Sequence, residues 1–208
     1  MRNWQHNQIS NLLKQFCITA ALIFVTNLAS NLGSVSANEI KNIRPLTNTI
    51  KFPAHYSLGF LYTVPAKPDD LTAYPQQAIS RQRAQGEIKI RDKGLTLLSG
   101  SYQLAANMSA LKNLKPDDIN VLDMYRTDIA DKDITNIKGL TGLVGLQLDD
   151  TEIGDDSLNT ICHLPNLKFI SLSSTQITGA TIGKLATLQH LRRFELGHNV
   201  LKKEYLGE

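Results

Sequence analysis

The sequence predicts an α/β solenoid, with short parallel strands on one face and short helical segments on the other. Three observations predict it. Four segments repeat at a fixed spacing: N-V-L-D-M-Y-R-T-D-I from Asn120, V-G-L-Q-L-D-D-T-E-I from Val144, K-F-I-S-L-S-S-T-Q-I from Lys168 and R-R-F-E-L-G-H-N-V-L from Arg192, each start 24 residues after the last. A period in that range marks a repeat architecture. Within each segment an L-x-L pair alternates with period two, as a strand with one buried face does. Downstream of it, Leu158, Ile161, Leu164 and Leu167 recur every third residue, which suits a helical or 3₁₀ segment with one apolar edge.

The columns hold over the whole stretch. Leu122, Leu146, Ile170 and Phe194 form one, and Met124, Leu148, Leu172 and Leu196 the next. Ile129, Ile153, Ile177 and Leu201 follow, then Ile134, Leu158, Ile182 and Leu206. Ile137, Ile161 and Leu185, then Leu140, Leu164 and Leu188, then Leu143, Leu167 and Leu191 complete the set, and every position is apolar. The pattern L-x-x-L-x-L-x-x-T-x-I-x-x-x-x-L-x-x-L-x-x-L resembles the leucine-rich repeat family over residues 119–208. The resemblance implies strands on a concave face, helices on a convex face, and a binding rather than a catalytic role. Where many such repeats carry Asn, this chain has Thr127, Thr151, Thr175 and finally Asn199. Their side chains are expected to satisfy backbone groups in the turn after each strand.

Taken from its start, the chain opens with a segment that has the features of a secretory signal. Arg2 and Lys14 are basic, no acid precedes Glu39, Phe16 to Val25 is apolar apart from Thr19, and Val35-Ser36-Ala37 offers small residues for cleavage. The alternative is a retained membrane anchor, for which the apolar run is short. Cleavage predicts a mature chain from Asn38, secreted or held in the periplasm or cell envelope, without stable membrane insertion. It keeps 20 basic and 19 acidic residues, a net charge of +1. That balance does not suggest a nucleic-acid partner.

Residues 38–53 read as an extended linker. Residues 54–118 read as a small β-rich cap over the first open end of the repeats. In it, Tyr56 to Val64 alternates as a strand. Gln76 to Gln85 is a short helix or a loop, and Glu87 to Leu98 a hairpin around Asp92-Lys93-Gly94. Met108, Leu111 and Leu114 suggest that 104–118 is a degenerate half-repeat. At the far end, the coil that contains Leu206 looks half built. It is either solvated by Lys202, Lys203, Glu204 and Glu208 or a place of self-association.

Binding chemistry is expected on the strand face. Its outward columns supply Val121, Gly145, Phe169 and Arg193, then Asp123, Gln147, Ser171 and Glu195, then Tyr125, Asp149, Ser173 and Gly197, with Arg126, Asp150, Ser174 and His198 in the adjoining turn. Tyr125, Arg126, Gln147, Asp149, Phe169, Ser171, Arg193 and Glu195 are the candidate partner-binding residues, because aromatic and Arg side chains are frequent interface anchors. Phe169 is read as exposed, the apolar side chain with most to gain from a partner. A protein or cell-envelope ligand is the expected occupant.

Catalytic and metal chemistry find little footing. No catalytic residue, cofactor site or metal site is predicted. Asp149 to Asp156 holds five acids, but the spacing fits no EF-hand, and a solvated turn leading into a helix start accounts for them. Cys162, the one cysteine left after signal removal, sits beside His163 and reads as a small, partly buried apolar residue rather than a metal or redox site. His55, with Asp69, Asp70 or Glu87, would be the acid–base set of an enzyme in the cap, the least favoured reading. A structural envelope protein that self-associates through its last repeat ranks between these. Asn107-Met108-Ser109 fits a glycosylation acceptor.

Overall fold

A computed structural model of the chain describes residues 49–65 and 78–205. Nine short strands organise them: β1 (Thr49–Lys51), β2 (Gly59–Val64), β3 (Ser80–Arg83), β4 (Glu87–Lys89), β5 (Leu95–Gly100), β6 (Val121–Asp123), β7 (Gly145–Gln147), β8 (Phe169–Ser171) and β9 (Arg193–Glu195). β1 and β4 pair antiparallel, and the other seven form one sheet in the order β3-β2-β5-β6-β7-β8-β9. The result is a mixed α/β arrangement. From β5 onward the strands run parallel, and short helical segments such as Asp131–Ile134, Leu158–Ile161 and Ile182–Thr187 connect them.

The sequence period is the pairing register. Leu122 lies opposite Leu146, Leu146 opposite Ile170, and Ile170 opposite Phe194. One turn of chain therefore advances the sheet by one strand, and like residues stack on like. The offset carries on upstream, because β5 pairs parallel with β6 and places Leu98 opposite Leu122. Leu98, Leu122, Leu146 and Ile170 form the inner side of the sheet, against Ile134, Ile137, Leu158, Ile161, Leu164 and Leu167 from the helical segments, in one continuous apolar cluster.

The turn after each of β6 to β9 is built the same way. Arg126, Asp150, Ser174 and His198 all have left-handed backbone, with φ between 54° and 58°. That conformation costs a non-glycine residue about 1–2 kcal/mol. The threonine column supports it: Thr127, Thr151 and Thr175 donate their hydroxyls to the carbonyls of Met124, Leu148 and Leu172 at 2.6, 2.6 and 2.8 Å. Asn199 instead reaches back one turn, accepting from the Thr175 N–H at 2.6 Å and donating to the Leu172 carbonyl at 2.6 Å. A second set of bonds joins the helix starts. Asp131 accepts from the Gly154 N–H at 2.7 Å and from the Ser157 hydroxyl, and Asp155 accepts from the Thr178 N–H at 3.1 Å.

The N-terminal part differs from its sequence expectation in three places. Residues 49–51, expected as linker, form β1, and Ile50 is buried in the core opposite Ile88. Where a short helix or loop was expected over Gln76 to Gln85, Ser80–Arg83 is strand β3, antiparallel to β2. Glu87 to Leu98 is not a hairpin, since β4 pairs with β1 whereas β5 pairs with β2 and β6. Alternation identified strand segments there but not their partners, which lie far off in sequence. Gly59 opens β2 at φ +139°, opposite Gly100, where any Cβ would collide with the Ser99 carbonyl. The expected signal (1–37), the linker up to 48, Asp69, Asp70 and Leu206 lie outside the described residues. Among those residues, no helix is long and apolar enough to cross a membrane.

Candidate functional site

Register alone arranges the outward side chains into rows across the sheet. One row runs Arg81, Tyr62, Leu97, Val121, Gly145, Phe169, Arg193 from β3 to β9. The next runs Arg83, Phe60, Ser99, Asp123, Gln147, Ser171, Glu195. Beyond the strand ends lie Tyr125 and Asp149, then the left-handed Arg126 and Asp150.

The first row is apolar between two arginines. Phe169 is 6% exposed, so the expectation of an open aromatic is corrected. Its ring faces the Arg193 guanidinium at 5.7 Å, and Val121 on the far side of Gly145 is equally buried. Gly145 has no side chain, and Val121 leans into the space it leaves, within 3.2 Å of where a Cβ would stand. Arg193 remains exposed and forms an ion pair with Glu195 two residues on, at 2.5 Å. Ser171 is also buried and donates to Asp149 Oδ1 at 2.5 Å, with Glu195 Oε2 3.2 Å away. Phe169 and Ser171 are therefore covered by their neighbours on the face itself.

The open part of the face lies one step further along. Tyr125 is 44% exposed, and the Arg126 guanidinium lies 4.9 Å from its ring centre. The Arg126 Nε–H donates to Asp150 Oδ2 at 3.2 Å, which holds the Asp150 carboxyl below its usual range. Asp123 behaves in the opposite sense. Burial pushes its carboxyl up, against hydrogen bonds from the Tyr125 N–H at 3.0 Å and the Ser99 hydroxyl at 3.2 Å. Asp149 is likewise occupied, accepting from the Ser173 N–H at 2.7 Å. Of the eight expected binding residues, Tyr125 and Arg126 form one exposed pair, exposed Arg193 pairs with half-buried Glu195, and Gln147 and Asp149 lie half-buried between.

No family model matches the chain, and no curated protein matches it. Among solved structures it is similar to an internalin (inlF) from Listeria monocytogenes, at 28% identity and a TM-score of 0.37. The match covers 41% of this chain and 24% of that one, so the chain spans 24% of the internalin's length.

Three residues on the same face were absent from the sequence expectation. Arg81 stacks on Phe60 at 3.7 Å and lies 5.9 Å from the Tyr62 ring. The signal was present in the Phe60/Tyr62 alternation, but only pairing of β2 with β5 carries it onto the strand face.

Other candidates are placed as follows. Cys162 is half-buried, with Sγ 3.3 Å from His163 Nδ1, and that nitrogen also lies 2.8 Å from the Asn159 carbonyl. The carbonyl can only accept, so Nδ1 carries the hydrogen and is no base for the thiol. His55 is exposed, and Glu87 is engaged by Lys51 across the β1–β4 pair at 2.9 Å, which lowers its pKa. Among the described residues, no three His, Cys, Asp or Glu side chains are grouped to hold a metal ion. The Asn107 amide donates to the Gln103 carbonyl at 2.9 Å.

Proposed function

We propose that this chain is an exported, non-catalytic binding module of the leucine-rich repeat type, which takes a protein or cell-envelope component on its strand face. The exposed Tyr125–Arg126 pair carries the reading. Arg126 lies between the Tyr125 ring and the Asp150 carboxylate. These two contacts favour one placement of the guanidinium, which lowers the ordering cost when a partner docks. Tyr and Arg at the centre of a patch are the side chains that most often dominate binding energy. Gln147 and Asp149 on the adjoining turn, and Arg193 with Glu195 three strands away on β9, offer hydrogen bonds and charge across the face. The basic, then apolar, then small-residue order of residues 1–37 supports export to the periplasm, the envelope or the medium.

The test is a pull-down from host envelope and culture fractions, with the purified chain beside Tyr125→Ala/Arg126→Ala and circular dichroism to verify folding. A partner held by the wild type and lost by the folded double variant is the expected result. Equal retention by both would move the site off this face. The mass of the exported chain tests the leader, with cleavage after Ala37 expected.

A further inference from the structure

We propose that two copies of this chain pair edge to edge through β9, antiparallel, about a twofold axis at Phe194. β9 is the outer strand of the seven-stranded sheet. Its bonds to β8 show which way its backbone groups point. The Arg193 N–H donates to the Lys168 carbonyl at 3.0 Å, and the Glu195 carbonyl accepts from the Leu172 N–H at 2.9 Å. Arg193 and Glu195 thus face β8, and by the alternation of a strand the N–H and C=O of Phe194 point to the open edge. A residue presenting both groups outward can exchange two hydrogen bonds with its own copy across a twofold axis.

The side chains of β9 are self-complementary in that register. With Phe194 opposite Phe194 of the second copy, Arg193 falls opposite Glu195, and Glu195 opposite Arg193. Those flanking positions are the non-hydrogen-bonded pairs, in which side chains approach most closely. Both charged side chains already lie on one face, joined by their ion pair within the strand. The other side of β9 supplies apolar surface. Phe194, Leu196 and Leu201 pack against the core but stay half-exposed, and Val200 beside them is 86% exposed. A second copy would continue the sheet and cover this end of the core. Among the described residues no strand pairs with the far edge of β9, and such an edge is the surface on which strand addition occurs.

Charge reversal tests the register directly. The molar mass of the purified chain would be followed by light scattering across a concentration series, alongside Arg193→Glu, Glu195→Arg and the double variant. Each single reversal sets like charges opposite each other twice, and a rise in the dimer Kd of about tenfold is expected. The double variant restores opposite charges within and between strands and should dimerise as wild type does. Mixing the two single variants should give a heterodimer, because one then carries two acids and the other two bases along the shared edge. A wild type that stays monomeric at the highest concentration reached overturns the proposal. So does a dimer indifferent to the single reversals, or single variants that lose association and do not regain it on mixing.

Discussion

The turns around β7 and β9 carry one sequence pattern in two environments. Leu148 and Leu196 occupy the same column, 48 residues apart. Leu148 is fully buried, because β7 lies between β6 and β8, whereas Leu196 is half-exposed, because among the described residues β9 has a strand on one side only. The strands themselves follow suit: Leu146 on β7 is fully buried where Phe194 on β9 is half-exposed. A repeat buries its own apolar edge only with the help of the next, so stability belongs to the interfaces between turns.

The largest expected effect exploits that column. Leu148→Ala should cost about 3 kcal/mol, since it removes transfer energy and leaves a cavity. Leu196→Ala should cost about 1 kcal/mol, since its side chain is already partly in water. Urea unfolding of both variants measures the difference. Equal costs would break the comparison and mean that the far side of β9 is covered in solution.

A middle-sized effect separates the threonines. Thr151→Val removes the hydroxyl that serves the Leu148 carbonyl and should cost about 1–2 kcal/mol. Thr175→Val should cost less, because the Asn199 amide still donates to the Leu172 carbonyl at 2.6 Å. Thermal or urea unfolding of the two variants checks the order, and a larger loss at Thr175 would contradict it.

The smallest effect concerns the two shifted aspartates. Burial raises the pKa of Asp123, so its ionisation works against the folded state as pH rises through that pKa, and the penalty is absent below the ordinary carboxylate range. Asp123→Asn should therefore gain on wild type with rising pH. Asp150 is lowered by Arg126, so its contribution is present at neutral pH and fades as pH falls through its folded pKa. Asp150→Asn should lose at neutral pH and converge with wild type in acid. Unfolding midpoints between about pH 3 and 7 read both slopes.

Much of the architecture was legible because the period and the register are one quantity. Once Leu122, Leu146, Ile170 and Phe194 are aligned by 24 residues, parallel pairing follows. β5 escaped because Gly100 stands where later turns carry Met124 and Leu148, and Ala105 where they carry Ile129 and Ile153. There the Met124 sulfur fills the space beside Gly100. Of the candidate site, the rows were readable and the exposures were not. Phe169 and Tyr125 are both aromatics on outward columns, yet one is buried and the other open. Which is which depends on Gly145 and Arg193, neighbours in space and not in sequence.

By itself, the sequence determined the spacing of β6 to β9, the apolar columns and the threonine or asparagine column that follows those strands, because these arise from a short local pattern repeated in step with the pairing offset. Only the tertiary structure decided that β1 pairs with β4, that β2 and β3 extend the sheet, and that Tyr125 rather than Phe169 meets the solvent. Those outcomes turn on contacts between residues far apart in the chain. Period and alternation describe each segment alone and leave such contacts open.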